Sequence, residues 1–414
     1  MSMMPVVKFF KGVDPAIVVI LAGVSAALHV GKLSPALPVL REALGITLVQ
    51  AGFLLSLVQL AGMTMGLAVG LAADGWGLKR SMITGLLLLF GAGALGGWAQ
   101  DATTLLVLRA LEGFGFLLVS MPAPSLLRHL VPPQRLNTML GFWGAYMPFG
   151  TAAALLCGPG VIVLANWQVW WWSLAGLSLL MALWLWQVVP VKSKHISLGV
   201  PGAGSADSAQ TWLQRLRQTL SARGPWLVAV SFAVYSGQWL AVIGFLPFIY
   251  AQAGLAGGTT AVLTALAAAV NMGGNIASGR LLQRGVRPQR LLYTGFCVMG
   301  LGAAVAFAEF PLTGGTGLPP AIRYLAILLF SLVGGVIPGT LYSLAVRLAP
   351  GERTVSTTVG WMQQGAALGQ FAGPPLVAWV ASGAGGWHWT WGLTGACSVL
   401  GLVMAWQIGR ERVR

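Results

Sequence analysis

The stretch Gly70-Leu-Ala-Ala-Asp-Gly-Trp-Gly-Leu-Lys-Arg80 decides the fold, because a long apolar segment lies on each side of it. The chain must leave the lipid, turn and re-enter the lipid within this stretch. Gly75 and Gly77 permit a tight turn, since glycine adopts backbone conformations that are closed to other residues. Lys79 and Arg80 hold the turn on the cytoplasmic side, because short basic loops resist translocation. The stretch therefore predicts a hairpin of two membrane helices.

The same stretch resembles the signature loop between the second and third helices of the major facilitator superfamily, roughly Gly-x-x-x-Asp-Arg-x-Gly-Arg-Arg. The matching residues, which we assign to a gating loop, are Gly70, Asp74, Gly77, Lys79 and Arg80. Asp74 would end the incoming helix, where a carboxylate can pair with a neighbouring helix end or a basic residue. Gly75 stands where the family usually has an arginine, so the gating role of that arginine is not carried over.

The composition places the whole chain in a membrane. Of its 414 residues, 57% are hydrophobic and only 8% are charged, whereas about one quarter of a soluble domain is charged. In a soluble protein the net charge of +15 would suggest nucleic acid. Here it is explained by basic loops on one side of the membrane, and we expect no nucleic-acid partner.

The apolar segments predict twelve transmembrane helices, since a span needs about 20 apolar residues. The predicted spans are 15–38, 47–73, 81–99, 102–127, 136–165, 168–189, 224–251, 259–283, 289–309, 321–347, 354–382 and 387–408. Most of the 24 Lys and Arg residues lie at the termini and in the loops after even-numbered spans. Both termini are therefore predicted to be cytoplasmic, and the protein is expected in the cell inner membrane.

Two related halves divide the chain. Leu37-Pro38-Val39-Leu40 followed by Gly45 matches Leu246-Pro247-Phe248-Ile249 followed by Gly254 at identical spacing. We predict an N-terminal six-helix bundle over 1–189, a cytoplasmic linker with a surface helix over 190–223, and a C-terminal six-helix bundle over 224–414. A parallel repeat of six plus six helices is the architecture of the superfamily. The expected fold is therefore an all-α membrane protein with two pseudo-symmetric bundles, and the resemblance covers the whole chain.

Within the superfamily, the chain resembles the cyanate-transporter-like branch. The likeness rests on His29-Val-Gly-Lys-Leu-Ser-Pro-Ala-Leu-Pro38 leading into Arg41, and on Gly244-Phe-Leu-Pro247 in the seventh helix. The branch implies a small polar or anionic solute and does not fix which one.

Four ionisable residues fall deep within predicted spans, namely His29, Lys32, Arg109 and Glu112. Such residues cost at least about 2.5 kcal/mol at a helix centre, so they indicate a functional cavity. His29 and Lys32 share one helix face, and the alternatives are a histidine bonded to a neighbouring helix and a lysine that snorkels to the headgroups. Glu112 is the first candidate for proton coupling and His29 the second.

The fourth-helix segment Arg109-Ala-Leu-Glu112-Gly113-Phe-Gly115 resembles the superfamily pattern Arg-x-x-Gln-Gly-x-Gly, with Glu112 in place of the glutamine. In several families that arginine takes part in proton coupling or solute binding. The other interpretation is a self-neutralised pair that holds helix contacts. The residues predicted to bind solute are His29, Lys32, Arg109, Tyr146, Tyr235, Gln238, Asn271 and Gln363. By the repeat offset, His29 corresponds to Gln238.

Aromatic and sulfur-containing residues receive structural interpretations. Tryptophans cluster near predicted helix ends and indicate an interfacial belt; they are Trp167, Trp170, Trp171, Trp172, Trp387, Trp389 and Trp391. Cys157, Cys297 and Cys397 fall inside apolar segments, so we expect buried free thiols and no metal site.

The sequence thus predicts a secondary transporter that works by alternating access on a small polar or anionic solute, coupled to protons or to the solute gradient. A monomer without cofactors is expected, and no nucleotide-binding loop supports direct ATP coupling. The runner-up is a proton-coupled exporter of drugs or metabolites. An intramembrane enzyme would need a cluster of Asp, His or Glu residues that the sequence lacks, and a receptor or scaffold would have no need of intramembrane charges.

Overall fold

The computed structural model describes residues 13–66, 68, 77–132, 135, 139, 142–190, 212–309, 317–351 and 354–411. Eleven helices in these ranges are long and apolar enough to cross a membrane. A further helix, Val355–Gly383, has 29 residues but a more polar composition. In chain order they are α1 (Pro15–Leu44), α2 (Leu48–Gly66), α3 (Leu78–Gly96), α4 (Ala102–Leu130), α5 (Tyr146–Leu164), α6 (Trp167–Val188), α7 (Arg223–Gln252), α8 (Gly257–Gln283), α9 (Pro288–Phe307), α10 (Pro320–Arg347), α11 (Val355–Gly383) and α12 (Trp387–Glu411).

Side-chain caps start four of the helices in the first half. A helix start leaves backbone N–H groups without acceptors, and Asp, Asn or Thr oxygens can accept from them. The capping pairs are Asp14 with Ala16, Thr47 with Gln50, Asp101 with Thr104 and Asn166 with Val169. The apolar runs therefore begin as helices at defined residues.

The repeat is visible in the backbone at the ends of α1 and α7. Gly45 has φ +61° and Gly254 has φ +77°, a conformation that favours glycine. These are the two glycines that follow the matched Leu-Pro segments at identical spacing. A second repeat links α6 and α12, because Trp167, Trp171, Ser178 and Trp186-Gln187 match Trp387, Trp391, Ser398 and Trp406-Gln407 at one spacing.

Two irregular turns, one in α1 and one in α2, lie in the interior of the first half. In α1 the first segment ends at Gly31 and the second begins at Leu33, with Lys32 between them. In α2 the segment Leu57–Gln59 is a 3₁₀ turn. Such turns change the regular i to i+4 bonding and leave carbonyl oxygens open to side-chain donors.

Glycines let α11 lie directly against α7. A Cβ atom on Gly369 would lie 1.9 Å from the carbonyl oxygen of Ala233, and one on Gly373 would lie 2.3 Å from that of Gly237. In the first half, a Cβ atom on Gly150 of α5 would lie 2.5 Å from Cβ of Ala27 in α1. Small residues allow this close approach in membrane helices.

The halves contact each other along α2 and α11 and at the end where α1 and α7 finish, which we call the closed end. Phe53 of α2 and Phe371 of α11 have ring centroids 6.3 Å apart, and Gln364 Nε2 donates to the Met63 carbonyl over 2.6 Å. At the closed end, one apolar cluster joins residues of both halves, including Leu37 and Phe245.

The gating-loop residues Gly70 and Asp74 lie outside the described residues. Gly77 has φ +104° immediately before α3. Lys79 Nζ donates to the carbonyls of Trp186 and Val189 at the end of α6, and Arg80 is exposed. The basic end of the loop therefore attaches α3 to α6. Within the predicted linker, Trp212–Ser221 forms a short helix.

Two sequence interpretations are wrong. Trp167, Trp170 and Trp171 are not belt residues, because they are 4%, 4% and 1% exposed and pack in the protein interior. The cysteines are free, but Cys157 and Cys297 are exposed and Cys397 is only partly buried. Small apolar side chains are equally suited to lipid and to protein, so an apolar segment alone does not indicate burial.

Candidate functional site

The four ionisable residues predicted within spans meet in one buried cluster in the first half. The break in α1 carries His29 and Lys32, and the middle of α4 carries Arg109 and Glu112 one turn apart. The exposed fractions are 0% for His29 and Lys32 and 1% for Arg109 and Glu112. We call these four residues the charged cluster.

Glu112 is the centre of the charged cluster. Its Oε1 accepts from Lys32 Nζ and lies 3.4 Å from His29 Nδ1. Its Oε2 accepts from Arg109 Nη1 over 2.7 Å. A buried carboxylate needs charged donors of this kind to offset its lost hydration. Both oxygens are therefore engaged by cations from two different helices.

Arg109 also holds the two irregular turns together. Its Nη1 and Nη2 donate to the carbonyls of His29 and Val30 beside the break in α1. Its Nε donates over 3.1 Å to the carbonyl of Leu54, just before the 3₁₀ turn of α2. The planar guanidinium can serve several acceptors at once. One side chain of α4 thus fixes the backbone of α1 and α2.

Lys32 is directed into the protein. Its ammonium nitrogen lies 4.6 Å from the ring centroid of Trp171, a cation–π contact. The indole Nε1 of Trp170 donates to the Lys32 carbonyl over 3.0 Å. The snorkelling alternative is therefore excluded in this conformation, because the amine contacts Glu112 and α6 and not the headgroup region.

His29 connects the charged cluster to α6. Its Nε2 lies 2.9 Å from Ser178 Oγ, and its Nδ1 lies 3.4 Å from Lys32 Nζ. An ammonium group can only donate, so Nδ1 accepts from Lys32 when the proton is on Nε2, which then donates to Ser178. Gly93 of α3 makes room for the ring, since a Cβ atom there would lie 3.2 Å from His29 Cε1.

A neutral polar network occupies the corresponding region of the second half. Asn271 Nδ2 donates to the hydroxyl of Tyr235 over 3.0 Å and to the Ser331 carbonyl over 2.8 Å. The indole Nε1 of Trp239 donates to Ser331 Oγ over 3.0 Å. This network joins α7, α8 and α10 without a charged group among its members.

One hydrogen bond in the second half corresponds, through the sequence repeat, to one in the first half. Ser398 Oγ of α12 donates to Gln238 Oε1 over 3.2 Å, as His29 contacts Ser178 of α6 in the first half. Nε2 of Gln238 is buried, and no described group accepts a hydrogen bond from it. The sequence places His29 and Gln238 at one depth, and the structure adds that each contacts a serine of the last helix in its half.

The other predicted site residues lie apart from the charged cluster. Tyr146 stacks on Trp143 with ring centroids 4.2 Å apart. Gln363 is partly buried in α11, beside the Gln364 side chain that bonds α2. The structure therefore gathers His29, Lys32, Arg109 and Glu112 at one place and Tyr235 and Asn271 at another.

Sequence reasoning missed the serines and tryptophans that complete both networks. Ser178, Trp171, Ser331 and Ser398 each contact a predicted residue. The matched spacing of α6 and α12 was the available signal, since Ser178 and Ser398 belong to it. Among the described residues, no group of three or more His, Cys, Asp or Glu is placed to hold a metal ion.

Long apolar helices in two related sets, with charges buried inside one set, define a multi-pass membrane protein of the transporter class. A family model described as Major Facilitator Superfamily matches residues 16–363. The chain belongs to this superfamily and is one of its transporters. The predicted fold class and the resemblance to this superfamily are confirmed.

Two curated relatives are similar in sequence. The chain is 26% identical to the cyanate transport protein CynX of Escherichia coli (strain K12) over 261 residues, which cover 60% of this chain and 62% of that protein. It is 22% identical to the hexuronate transporter of Bacillus subtilis (strain 168) over 396 residues, which cover 92% of this chain and 90% of that protein. The match to the cyanate transport protein thus spans under two thirds of its length.

Solved structures share the fold. A bacterial homolog of the human lysosomal transporter Spinster, in an inward-facing and occupied conformation, has a TM-score of 0.77 at 14% identity and covers 95% of this chain and 96% of that one. A D-xylose-proton symporter has a TM-score of 0.71 at 15% identity and covers 95% of this chain and 97% of that one. At these identities the likeness concerns the fold alone.

Proposed function

We propose that this protein is a secondary active transporter that carries a small polar or anionic solute, with protons as the coupling ion. The observation that carries the proposal is the charged cluster. In that cluster the cationic side chains of Lys32 and Arg109 both contact the carboxylate of Glu112, and all three are buried. Charged side chains at this depth are costly, so their presence indicates a role in transport or in structure.

The charge balance of the cluster favours an anion coupled to a proton. Glu112 compensates part of the charge of Lys32 and Arg109. A proton on Glu112 would leave two buried cations with too little compensation, which a solute anion could supply. A monovalent anion that enters with one proton leaves the buried charge unchanged, and this avoids the desolvation penalty of either ion alone.

The named relatives agree with this substrate class. The proteins at 26% and 22% identity are described as transporters of cyanate and of hexuronate, and both solutes are anions in water. We propose an anion of this general kind for the present chain. Lys32, Arg109 and His29 in the first half, with Tyr235, Gln238 and Asn271 in the second, are the proposed solute-binding residues, and Tyr146 and Gln363 are further candidates.

We propose alternating access as the mechanism. The halves 1–189 and 224–414 would rock about the charged cluster, with the Gly70–Arg80 stretch as a gate and residues 190–223 as the linker. The basic loops after even-numbered spans support cytoplasmic termini in the inner membrane. A monomer suffices for this cycle, because both halves belong to one chain.

Uptake into proteoliposomes tests the proposal. The panel is radiolabelled cyanate, bicarbonate, nitrate, short carboxylates and glucuronate, with and without an inward proton gradient. We expect one of these anions to accumulate with the gradient. Lys32→Gln should weaken its binding by about tenfold to a hundredfold, the value of one lost charge-assisted hydrogen bond.

The Glu112→Gln variant tests proton coupling separately from solute binding. This variant should lose gradient-driven accumulation but retain anion exchange, because the solute site survives while the titrating group does not. Glu42→Gln is the matched control, since Glu42 is an exposed carboxylate near the end of α1. Transport of a cationic drug that depends on Glu112, with no anion transported, would contradict the proposal and support the exporter.

A further inference from the structure

A cavity of about 150 Å³ lies at the closed end, apart from the charged cluster. Both halves build it, with α1 and α5 on one side and α7 and α8 on the other. Its walls include Pro38, Leu155, Pro159, Pro247, Leu255 and Thr260. Val163, another wall residue, is 79% exposed, so the cavity is open to the outer surface of the helix bundle.

One polar group of this wall has no partner. Thr260 is 6% exposed, and its Oγ1 has no hydrogen-bond partner among the described residues. A buried hydroxyl without a partner is costly, so a bound molecule that supplies a hydrogen bond gains from this position. Thr264 lines the same cavity, but its Oγ1 donates to the Thr260 carbonyl over 2.8 Å. The two threonines therefore differ in what they can offer a ligand.

We propose that this cavity binds a small lipophilic molecule with one aromatic ring and one hydroxyl group. The size supports a single ring, because an engineered apolar cavity of about this volume in another protein holds one benzene molecule. The apolar lining holds the ring, Thr260 bonds the hydroxyl, and the molecule enters from the lipid. Since both halves line the cavity, the ligand binds the arrangement in which the closed end is shut and stabilises it.

The test uses 4-fluorobenzyl alcohol as the probe and ¹⁹F NMR titration of the full chain in detergent micelles. We expect a saturable component in the unmodified protein. Thr260→Val should weaken it by about threefold to tenfold, the effect of one neutral hydrogen bond. Thr264→Val is the matched control and should leave binding within twofold, because that hydroxyl is already bonded to its own helix.

A second probe removes the hydroxyl from the ligand. Fluorobenzene should bind the unmodified protein and the Thr260→Val variant with equal affinity, because it has no hydroxyl group to form a hydrogen bond with Thr260. Ala251→Phe, at an exposed wall position, should abolish the saturable component for both probes by filling the cavity. A linear titration in the unmodified protein, as expected if a detergent or lipid chain fills the cavity, would overturn the proposal. Equal losses in the two threonine variants would also overturn it.

Discussion

At the scale of single residues, Arg109 holds the interior of the first half together through its hydrogen bonds. It bonds the Glu112 carboxylate and the carbonyls of His29, Val30 and Leu54. A guanidinium suits this position because it carries five donors in one plane. The pair of Arg109 and Glu112 is therefore structural in this conformation, and the proposed coupling role of Glu112 would add to that structural role.

Arg109→Lys should lower the free energy of unfolding although it keeps the charge. A single ammonium cannot reach acceptors on three helices, so carbonyls near the turns of α1 and α2 lose their donors. Each lost bond to a charged group is worth about 1.5–3 kcal/mol, and we expect a total loss of at least about 2 kcal/mol. Denaturation by SDS in mixed micelles measures it.

Arg128→Lys is the control for this substitution, since Arg128 is an exposed residue of the same helix. It should change the stability by less than about 0.5 kcal/mol. Equal stability of the two variants would mean that the backbone contacts of Arg109 do not contribute to folding.

At the scale of helices, the contact between α7 and α11 depends on glycines. Gly369→Ala should destabilise the protein by about 1–3 kcal/mol, because the new methyl group would meet the Ala233 carbonyl 1.9 Å away. The gain in helix propensity, about 1 kcal/mol, opposes this loss and does not cancel it. Thermal unfolding followed by tryptophan fluorescence measures the net change.

Gly383→Ala provides the opposite expectation within the same helix. No described atom lies within 4 Å of a Cβ placed on Gly383, so this variant should be neutral or slightly stabilised. If both alanine variants melt at the temperature of the unmodified protein, the helices separate easily and the close contact is not a source of stability.

At the scale of the whole molecule, a cation–π contact bridges the halves at the closed end. The guanidinium carbon of Arg41 in α1 lies 4.9 Å from the ring centroid of Phe248 in α7. Trp387 of α12 stands behind Phe248, with ring centroids 6.1 Å apart, and its Nε1 donates to Gln252 over 3.0 Å. Parting the halves at this end must break the contact of Arg41.

Arg41→Gln should shift the molecule toward an arrangement that is open at this end. Such contacts are worth about 0.5–2 kcal/mol, so the open population should rise by about twofold to thirtyfold. Spin labels at Glu42 and Ala253, in a chain whose native cysteines are replaced by alanine, would report a longer distance by pulsed electron spin resonance.

Arg323→Gln is the control for the closed end. Arg323 Nε donates to the Ala306 carbonyl within the second half, so its loss should leave the label distance unchanged. A distance distribution that is the same for Arg41→Gln and the unmodified protein would contradict the role of the Arg41–Phe248 contact.

The sequence predicts where the helices are, but it predicts their first and last residues only in part. Hydropathy located each span, yet α3 runs over Leu78–Gly96 and not over 81–99. Apolar and glycine residues continue past a helix end, so composition does not mark where the hydrogen bonds stop. The four residues of the charged cluster were predicted as ionisable groups within spans, because such groups are conspicuous in apolar segments, but the sequence did not separate them from the other predicted site residues.

The sequence by itself determined the class of protein, the apolar segments that form its long helices, the repeat and the residues that carry charge into those segments. Those properties follow from the cost of polar groups in lipid, which acts on every residue separately. Only the tertiary structure decided that Lys32 pairs with Glu112, that Trp170 and Trp171 lie inside, and that Ser178 and Ser398 complete the two polar networks. Lipid and protein interior are both apolar, so a helix sequence does not say which face meets which, and that choice depends on packing between distant segments.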